Sequence, residues 1–254
     1  MRGIDARSIM SDLAIALVFF TRLPLPHFEI PGRKLADALW AAPIVGMMVA
    51  LAGGVAYTLG HAMGINEGVA AAITLAVTMF ATGCLHEDGL ADTADAFGGG
   101  RTIARKLEIM RDSRIGTYGA AALVMSVLLR WTSLASLPGG ASAVCALLAA
   151  HAASRGVLAV LIQRTPAARE DGLGASVGTV SDPVALAALG LGALPLLLLG
   201  IGQGILMGML VACIAYWLRG LFIRQVGGIT GDTLGAAQQV IEIAVLVAAG
   251  AILS

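Results

Sequence analysis

The residues that could do chemistry crowd into one stretch, His86 to Gly119, where Glu87, Asp88, Asp92, Asp95, Glu108 and Asp112 share the chain with Arg101, Arg105, Lys106, Arg111 and Arg114. Asp88, Asp92 and Asp95 are spaced i, i+4, i+7, so a helix carries all three on one face. Carboxylates so placed repel one another unless a cation or a set of bases neutralises them. Oxygen ligands at this spacing suit Mg²⁺ or Mn²⁺, which are commonly held by a few carboxylates plus substrate phosphates. Glu87, Asp88, Asp92 and Asp95 are therefore the candidate metal ligands, Glu87 the weakest of them, and His86 is expected to pack or cap. The competing reading is a solvated acidic surface helix. Against it, the acids begin where an apolar segment ends, an unfavourable place for idle like charges.

The next segment, FGGGRTIARKLEIMRDSRIG, offers contacts for an anion. Its glycine triplet allows close backbone approach to a ligand, which makes Gly99 and the adjoining Arg101 candidate substrate contacts. Arg111 and Arg114 could hold phosphate through forked hydrogen bonds, although anchoring at a membrane surface accounts for the same basic residues. Ile103, Leu107, Ile109 and Met110 give this helix an apolar side, so a surface helix is expected near 101–112.

The elements that must position these groups are transmembrane helices. The chain has 254 residues, 58% hydrophobic and 13% charged, with a mean hydropathy of +0.88. Soluble domains carry roughly a quarter charged residues. Repeated apolar runs of about 20 residues indicate a polytopic all-α membrane bundle, and the lack of strand-like alternation removes a barrel. About seven spans are expected, near Asp37–Gly60, Gly68–Leu85, Gly116–Leu137, Ala141–Ile162, Pro183–Gly200, Gly204–Phe222 and Thr233 to the end. The run Leu13–Phe20 is too short to span and should form an interfacial or re-entrant helix, with no cleavable signal peptide evident. A single membrane-embedded catalytic domain over 1–254 is expected. Cys84, Cys145 and Cys213 lie singly in apolar segments and read as small buried hydrophobes.

Of 16 basic residues only Arg130 falls near the face opposite the acidic stretch. The bias places the N-terminus and the three polar loops on the cytoplasmic side of the cytoplasmic membrane. Arg155, a turn and a half into the fourth span, is a further phosphate-binding candidate. Gln238, Gln239 and Glu242 should face the bundle interior, where polar groups in a span are least costly. Asp232 opens the last span and is either its N-cap or a site residue.

HEDGLADTADAFGGG, LEIMRDSRIGTYG and GGITGDTLGAAQQ, with the early FFTRLPLP, together resemble the cobalamin 5′-phosphate synthase (adenosylcobinamide-GDP ribazoletransferase) family across essentially the whole chain. The resemblance implies a Mg²⁺-dependent enzyme of the lipid bilayer. A hydroxyl of α-ribazole 5′-phosphate, or of α-ribazole, would displace GMP from adenosylcobinamide-GDP. Such a transfer needs charge neutralisation and in-line positioning, which a metal on a carboxylate cluster provides. Asp95 is the expected acceptor of the hydroxyl proton, with Asp92 and Asp232 beside it. No nucleic-acid partner is expected, and a homo-oligomer stays open. A CDP-alcohol phosphotransferase is the alternative enzyme, but its motif continues Asp-Gly-x-x-Ala-Arg, whereas here Asp88-Gly89 leads to Ala91-Asp92 and Asp95. An ion-coupled transporter is the alternative from another class; its site would lie near the bilayer midplane on broken helices.

Overall fold

The computed structural model describes residues 6–24, 33–172 and 176–254. Residues 25–32 of the proline-containing N-terminal segment, and 173–175 of the second polar loop, lie outside the described residues. The described chain is helical; its only β feature is an isolated bridge between Ala167 and Ile229.

Helix α1 (Ala6–Phe20) is followed by α2 (Leu35–Ala38), a 3₁₀ turn (Leu39–Ala41) and α3 (Ala42–Ala62). Pro43 sits in the first turn of α3, where its missing N–H is not needed. Next come α4 (Glu67–Thr82), α5 (Leu85–Gly99), α6 (Ile103–Ile109), α7 (Thr117–Ala135), α8 (Gly140–Gly156) and α9 (Leu158–Arg164). The chain closes with α10 (Asp182–Ala193), a 3₁₀ segment (Leu194–Leu199), α11 (Ile201–Val226) and α12 (Gly231–Leu253). Six segments are long and apolar enough to cross a membrane, Leu35–Ala62, Thr117–Ala135, Gly140–Arg164, Asp182–Leu199, Ile201–Val226 and Gly231–Leu253. The α4–α5 pair, bent by 88°, makes a seventh if counted as one span. The protein is a multi-pass helical membrane protein.

The second span thus ends just before the acids, as expected: the chain breaks at Gly83 (φ 61°) and Cys84 (φ 56°), both left-handed, and the acids follow on a helix set at a steep angle to the span. Glycine adopts this region freely; a cysteine there is uncommon and holds some strain. The end of α1 clasps the break. Arg22 N–H donates to Ala81 O at 2.8 Å, and the Arg22 side chain fills the space where a Cβ on Gly83 would lie. The short N-terminal helix is as expected, about 22 Å at 1.5 Å per residue. Its Asp12 accepts hydrogen bonds from Arg33 Nε and Trp40 Nε1, each at 2.9 Å, which ties it to the start of the first span.

Small residues let the helices approach, as expected where lipid removes the hydrophobic drive for helix association. Gly46 of α3 packs on the backbone at His151 of α8, Gly54 lies against Val144, and Gly156 of α8 meets Gly192 of α10. Around this core the large apolar side chains Phe80, Leu128, Leu186, Leu206 and Trp217 point outward, a surface suited to lipid.

Candidate active site

Two helices bring the acids together. On α5, Asp88 is exposed, Asp92 is half-buried and Asp95 is buried. At the start of α12, Asp232 is half-buried. The helices touch backbone to backbone: a Cβ added at Gly89 would lie 2.7 Å from Asp232 O, and one added at Gly235 would lie 3.2 Å from Gly89 Cα. Asp92 consequently lies in the combined electrostatic field of Asp88, Asp232 and Asp95, and Asp88 and Asp232 line the same cavity.

Asp232 is not the helix cap. Thr230 is the N-cap: its hydroxyl accepts from Thr233 N–H at 3.2 Å, and Thr233 Oγ1 accepts from Thr230 N–H at 2.8 Å. The Asp232 carboxylate instead takes the Thr230 hydroxyl at 3.3 Å and meets Arg169 at 3.6 Å. Arg169 comes from the polar loop after α9. Nothing in its local sequence distinguishes it from neighbouring charges; only its loop membership placed it near the site.

Asp95 has a different occupation from the one expected. Its two oxygens accept the N–H groups of Gly116 (2.7 Å) and Gly119 (2.8 Å) at the start of α7. Gly116 and Gly119 press so close to this carboxylate that a side chain at either would collide with it. Asp95, read from the sequence as a metal ligand and the acceptor of the hydroxyl proton, thus also fastens α5 to α7. Glu87, the weakest of the ligand candidates, is turned to an arginine. Glu87 is 4% exposed and its Oε1 accepts from Arg130 Nη1 at 2.8 Å, inside the bundle.

Glu87 belongs to a buried ionic network that the charge count had hinted at only through the isolated Arg130. Arg130 Nη1 also reaches Glu242 at 3.2 Å; Glu242 is 3.2 Å from His151 Nδ1 and 3.6 Å from Arg155. Gln238 donates to Glu242 at 2.6 Å and to Ser154 at 3.0 Å, while Gln239 donates to Glu87 at 3.3 Å. Two arginines thus face two glutamates, and α5, α7, α8 and α12 are tied together. The inward placement of Gln238, Gln239 and Glu242 is as expected. Arg155, the further phosphate-binding candidate, is 1% exposed and directed at Glu242 and His151.

The remaining basic candidates sit at the rim. Arg101 is exposed beside Gly99. Arg111 Nη2 meets both carboxylate oxygens of Asp171 at 2.6 Å, pinning the segment after α6 to the second polar loop. Arg114 pairs with Asp112 and, by hydrogen bonding to it, holds that exposed carboxyl down to about 2. The surface helix near 101–112 is shorter than expected, Ile103–Ile109, because Thr102 caps it and accepts from Arg105 N–H at 3.2 Å.

Among the described residues no three His, Cys, Asp or Glu side chains form a ready-made metal site. Asp88, Asp92 and Asp232, the last paired with Arg169, still fit a hard divalent ion shared with phosphate oxygens, since Mg²⁺ commonly takes only one or two protein carboxylates.

A polytopic bundle whose carboxylates converge from a broken helix and a neighbouring helix start defines a membrane protein with an acidic centre open to charged substrates. The chain belongs to the cobalamin-5-phosphate synthase family, which it matches over residues 12–250. It is 52% identical over 251 residues to a Mesorhizobium japonicum protein named adenosylcobinamide-GDP ribazoletransferase, covering 99% of this chain and 97% of that one. Proteins of the same name from Bradyrhizobium diazoefficiens (45% identity, 96% of this chain, 95% of that one) and Ralstonia nicotianae (43%, 94% and 95%) are similar throughout as well. No solved structure matches.

Proposed function

We propose that this chain transfers adenosylcobinamide phosphate from adenosylcobinamide-GDP to α-ribazole 5′-phosphate or α-ribazole, releasing GMP. The observation that carries the reading is the 52% identity, over nearly the full length of both chains, to a protein named for that transfer. In the reaction a ribazole hydroxyl oxygen bonds to the cobinamide phosphorus, the bond from that phosphorus to the bridging oxygen breaks, and GMP leaves with the bridging oxygen and its electron pair. The hydroxyl proton must go to a base.

Asp92 suits that role better than Asp95: it is half-buried and surrounded by like charges, whereas both oxygens of Asp95 are held by backbone amides. Asp88 and Asp232 would hold Mg²⁺, or Mn²⁺ in its place, together with substrate phosphates. When bound, the metal would neutralise charge on the pyrophosphate oxygens. Arg169 keeps Asp232 oriented toward the centre, and Arg101, exposed beside Gly99, would contribute a further contact to a substrate phosphate. Asp95 and the Glu87–Arg130–Glu242 network fix α5 against its neighbours, so that Asp88 and Asp92 are held in position before substrate arrives.

The placement of 15 of the 16 basic residues supports a cytoplasmic-membrane protein with its site facing the cytoplasm. The test is purified protein in detergent with adenosylcobinamide-GDP, α-ribazole 5′-phosphate and Mg²⁺. GMP formed one-for-one with cobalamin 5′-phosphate supports the reading. Absence of GMP from well-folded protein rejects it, as does a requirement for two sealed compartments.

A further inference from the structure

Arg169 is held by backbone contacts on both sides. The loop after α9 runs beside the residues that enter α12: Ile229 N–H donates to Pro166 O and Ala168 N–H to Ile229 O, each at 2.9 Å, around the isolated bridge. Gly228 leaves no room for a side chain, since a Cβ there would stand 2.1 Å from Pro166 O. On the other flank Gly172 (φ 119°) lies against the guanidinium, and a Cβ on it would stand 3.2 Å from Arg169 Nε. Asp171 is gripped through both oxygens by Arg111 at 2.6 Å. One flank is therefore fixed to the start of α12 and the other to the segment after α6.

The contact so prepared with Asp232 is a loose one. Arg169 Nη2 stands 3.6 Å from Asp232 Oδ2, an ion-pair distance too long for a hydrogen bond. The two side chains are 19% and 22% exposed, so neither is sealed by the other. Asp232 is neutralised in part and left open to a second cation.

We propose that Arg169 makes metal binding at Asp232 depend on the donor's pyrophosphate: its charge opposes a divalent ion on that carboxylate until phosphate oxygens lie beside both cations. The inference rests on the transfer reaction above and adds that metal and adenosylcobinamide-GDP enter the site as a coupled pair. The argument is one of charge. A divalent ion on Asp232 and the Arg169 guanidinium are two cations on one carboxylate, and their repulsion is strong away from bulk water. Asp88 and Asp92 still favour the ion, which therefore binds, but more weakly than it would without the arginine. A pyrophosphate supplies what both cations lack. Mg²⁺ completes its shell with phosphate oxygens and water, and an arginine is suited to the same anion. By linkage, the factor by which the donor tightens the metal is the factor by which the metal tightens the donor.

The first arm of the test needs no turnover. Mn²⁺ binding to purified protein in detergent, read by electron paramagnetic resonance of the free ion, should be at least about fivefold tighter in Arg169→Gln than in wild type, the lower end of ordinary coupling. Arg169→Lys keeps the charge and should bind Mn²⁺ within about twofold of wild type. Were orientation of Asp232 the whole effect of the arginine, Arg169→Gln would bind Mn²⁺ more weakly. In the second arm, equilibrium dialysis of adenosylcobinamide-GDP without acceptor should show Mg²⁺ tightening the donor in wild type. That factor should fall at least about fivefold in Arg169→Gln. Mn²⁺ binding by Arg169→Gln no tighter than wild type, failure of lysine to restore it, or an unchanged Mg²⁺ effect on the donor would overturn the proposal. GMP formed beside any of these results would leave the transfer reaction standing. The expected Mn²⁺ pattern in protein that forms no GMP would instead reject the reaction and leave the opposition between Arg169 and the metal in place.

Discussion

Gly89 of α5 lies directly on the backbone of Asp232, so that a Cβ there would stand 2.7 Å from the Asp232 carbonyl oxygen and 3.1 Å from its Cα. This contact sets the separation of the two helices and with it the distance between the Asp88 and Asp232 carboxylates. Neither neighbour is a flexible side chain that could move aside. Gly89→Ala gains about 1 kcal/mol of helix propensity and loses about 1–3 kcal/mol to overpacking. The expected outcome is a modest change in melting temperature with a loss of turnover of at least about tenfold. Measuring GMP release beside thermal unfolding separates the two; full turnover in the Gly89→Ala variant would show that the close approach is incidental.

Asp88→Asn and Asp92→Asn change charge and keep shape at positions with no structural partner to lose among the described residues. Both variants should retain wild-type yield and lose turnover almost completely, and excess Mg²⁺ should not restore it. Near-normal activity in either would reduce that carboxylate to surface decoration.

Asp95→Asn should behave differently. Asparagine offers one acceptor oxygen to the two N–H donors of Gly116 and Gly119 and turns an N–H₂ toward one of them. An unsatisfied buried donor costs about 1–3 kcal/mol. The variant should therefore melt lower, with turnover per folded molecule reduced far less than in Asp88→Asn. Loss of turnover with unchanged stability would return Asp95 to the proton-accepting role.

Removing Arg130 leaves Glu87 without its ion-pair partner and Glu242 with Arg155, 3.6 Å away, as its remaining arginine. Breaking a buried pair from one side costs about 3–5 kcal/mol, whereas removing both partners can be nearly neutral. Arg130→Gln should sharply lower the yield of folded protein, and adding Glu87→Gln should recover part of it. Purified yield and melting temperature of the two singles and the double variant make the cycle; strict additivity would contradict the pairing.

Much of this was legible in the chain. Apolar run length gave the spans to within a few residues, since in lipid the backbone has few alternatives to a helix. The i, i+4, i+7 spacing put Asp88, Asp92 and Asp95 on one helix. It could not say which oxygens were already taken, because the partners of Asp95 are backbone amides more than 20 residues on, at glycines that look like any others. Arg130, Arg155 and Glu242 each stood out as a charge inside a span, but their pairing with Glu87 depends on how four helices pack. The left-handed turn at Cys84 carries no sequence signal beyond the preceding Gly83. Asp232 was ambiguous between cap and site; the capping role belongs to Thr230, two residues earlier.

Orientation has its own test. In a variant lacking Cys84, Cys145 and Cys213, a cysteine at the exposed position Glu170 should react with an impermeant reagent only when the cytoplasmic face is open. Labelling of intact cells from outside would place the site on the other side.

The central claim is that Asp232, at the start of the last helix, completes a site begun by Asp88 and Asp92 on the broken one. The rate of GMP release by Asp232→Asn tests it most directly. With Thr230 still capping α12, the variant should melt close to wild type, and turnover should fall at least about tenfold, the equivalent of roughly 1.4 kcal/mol in the barrier. Release of GMP by Asp232→Asn at the wild-type rate would contradict the claim and confine the chemistry to α5.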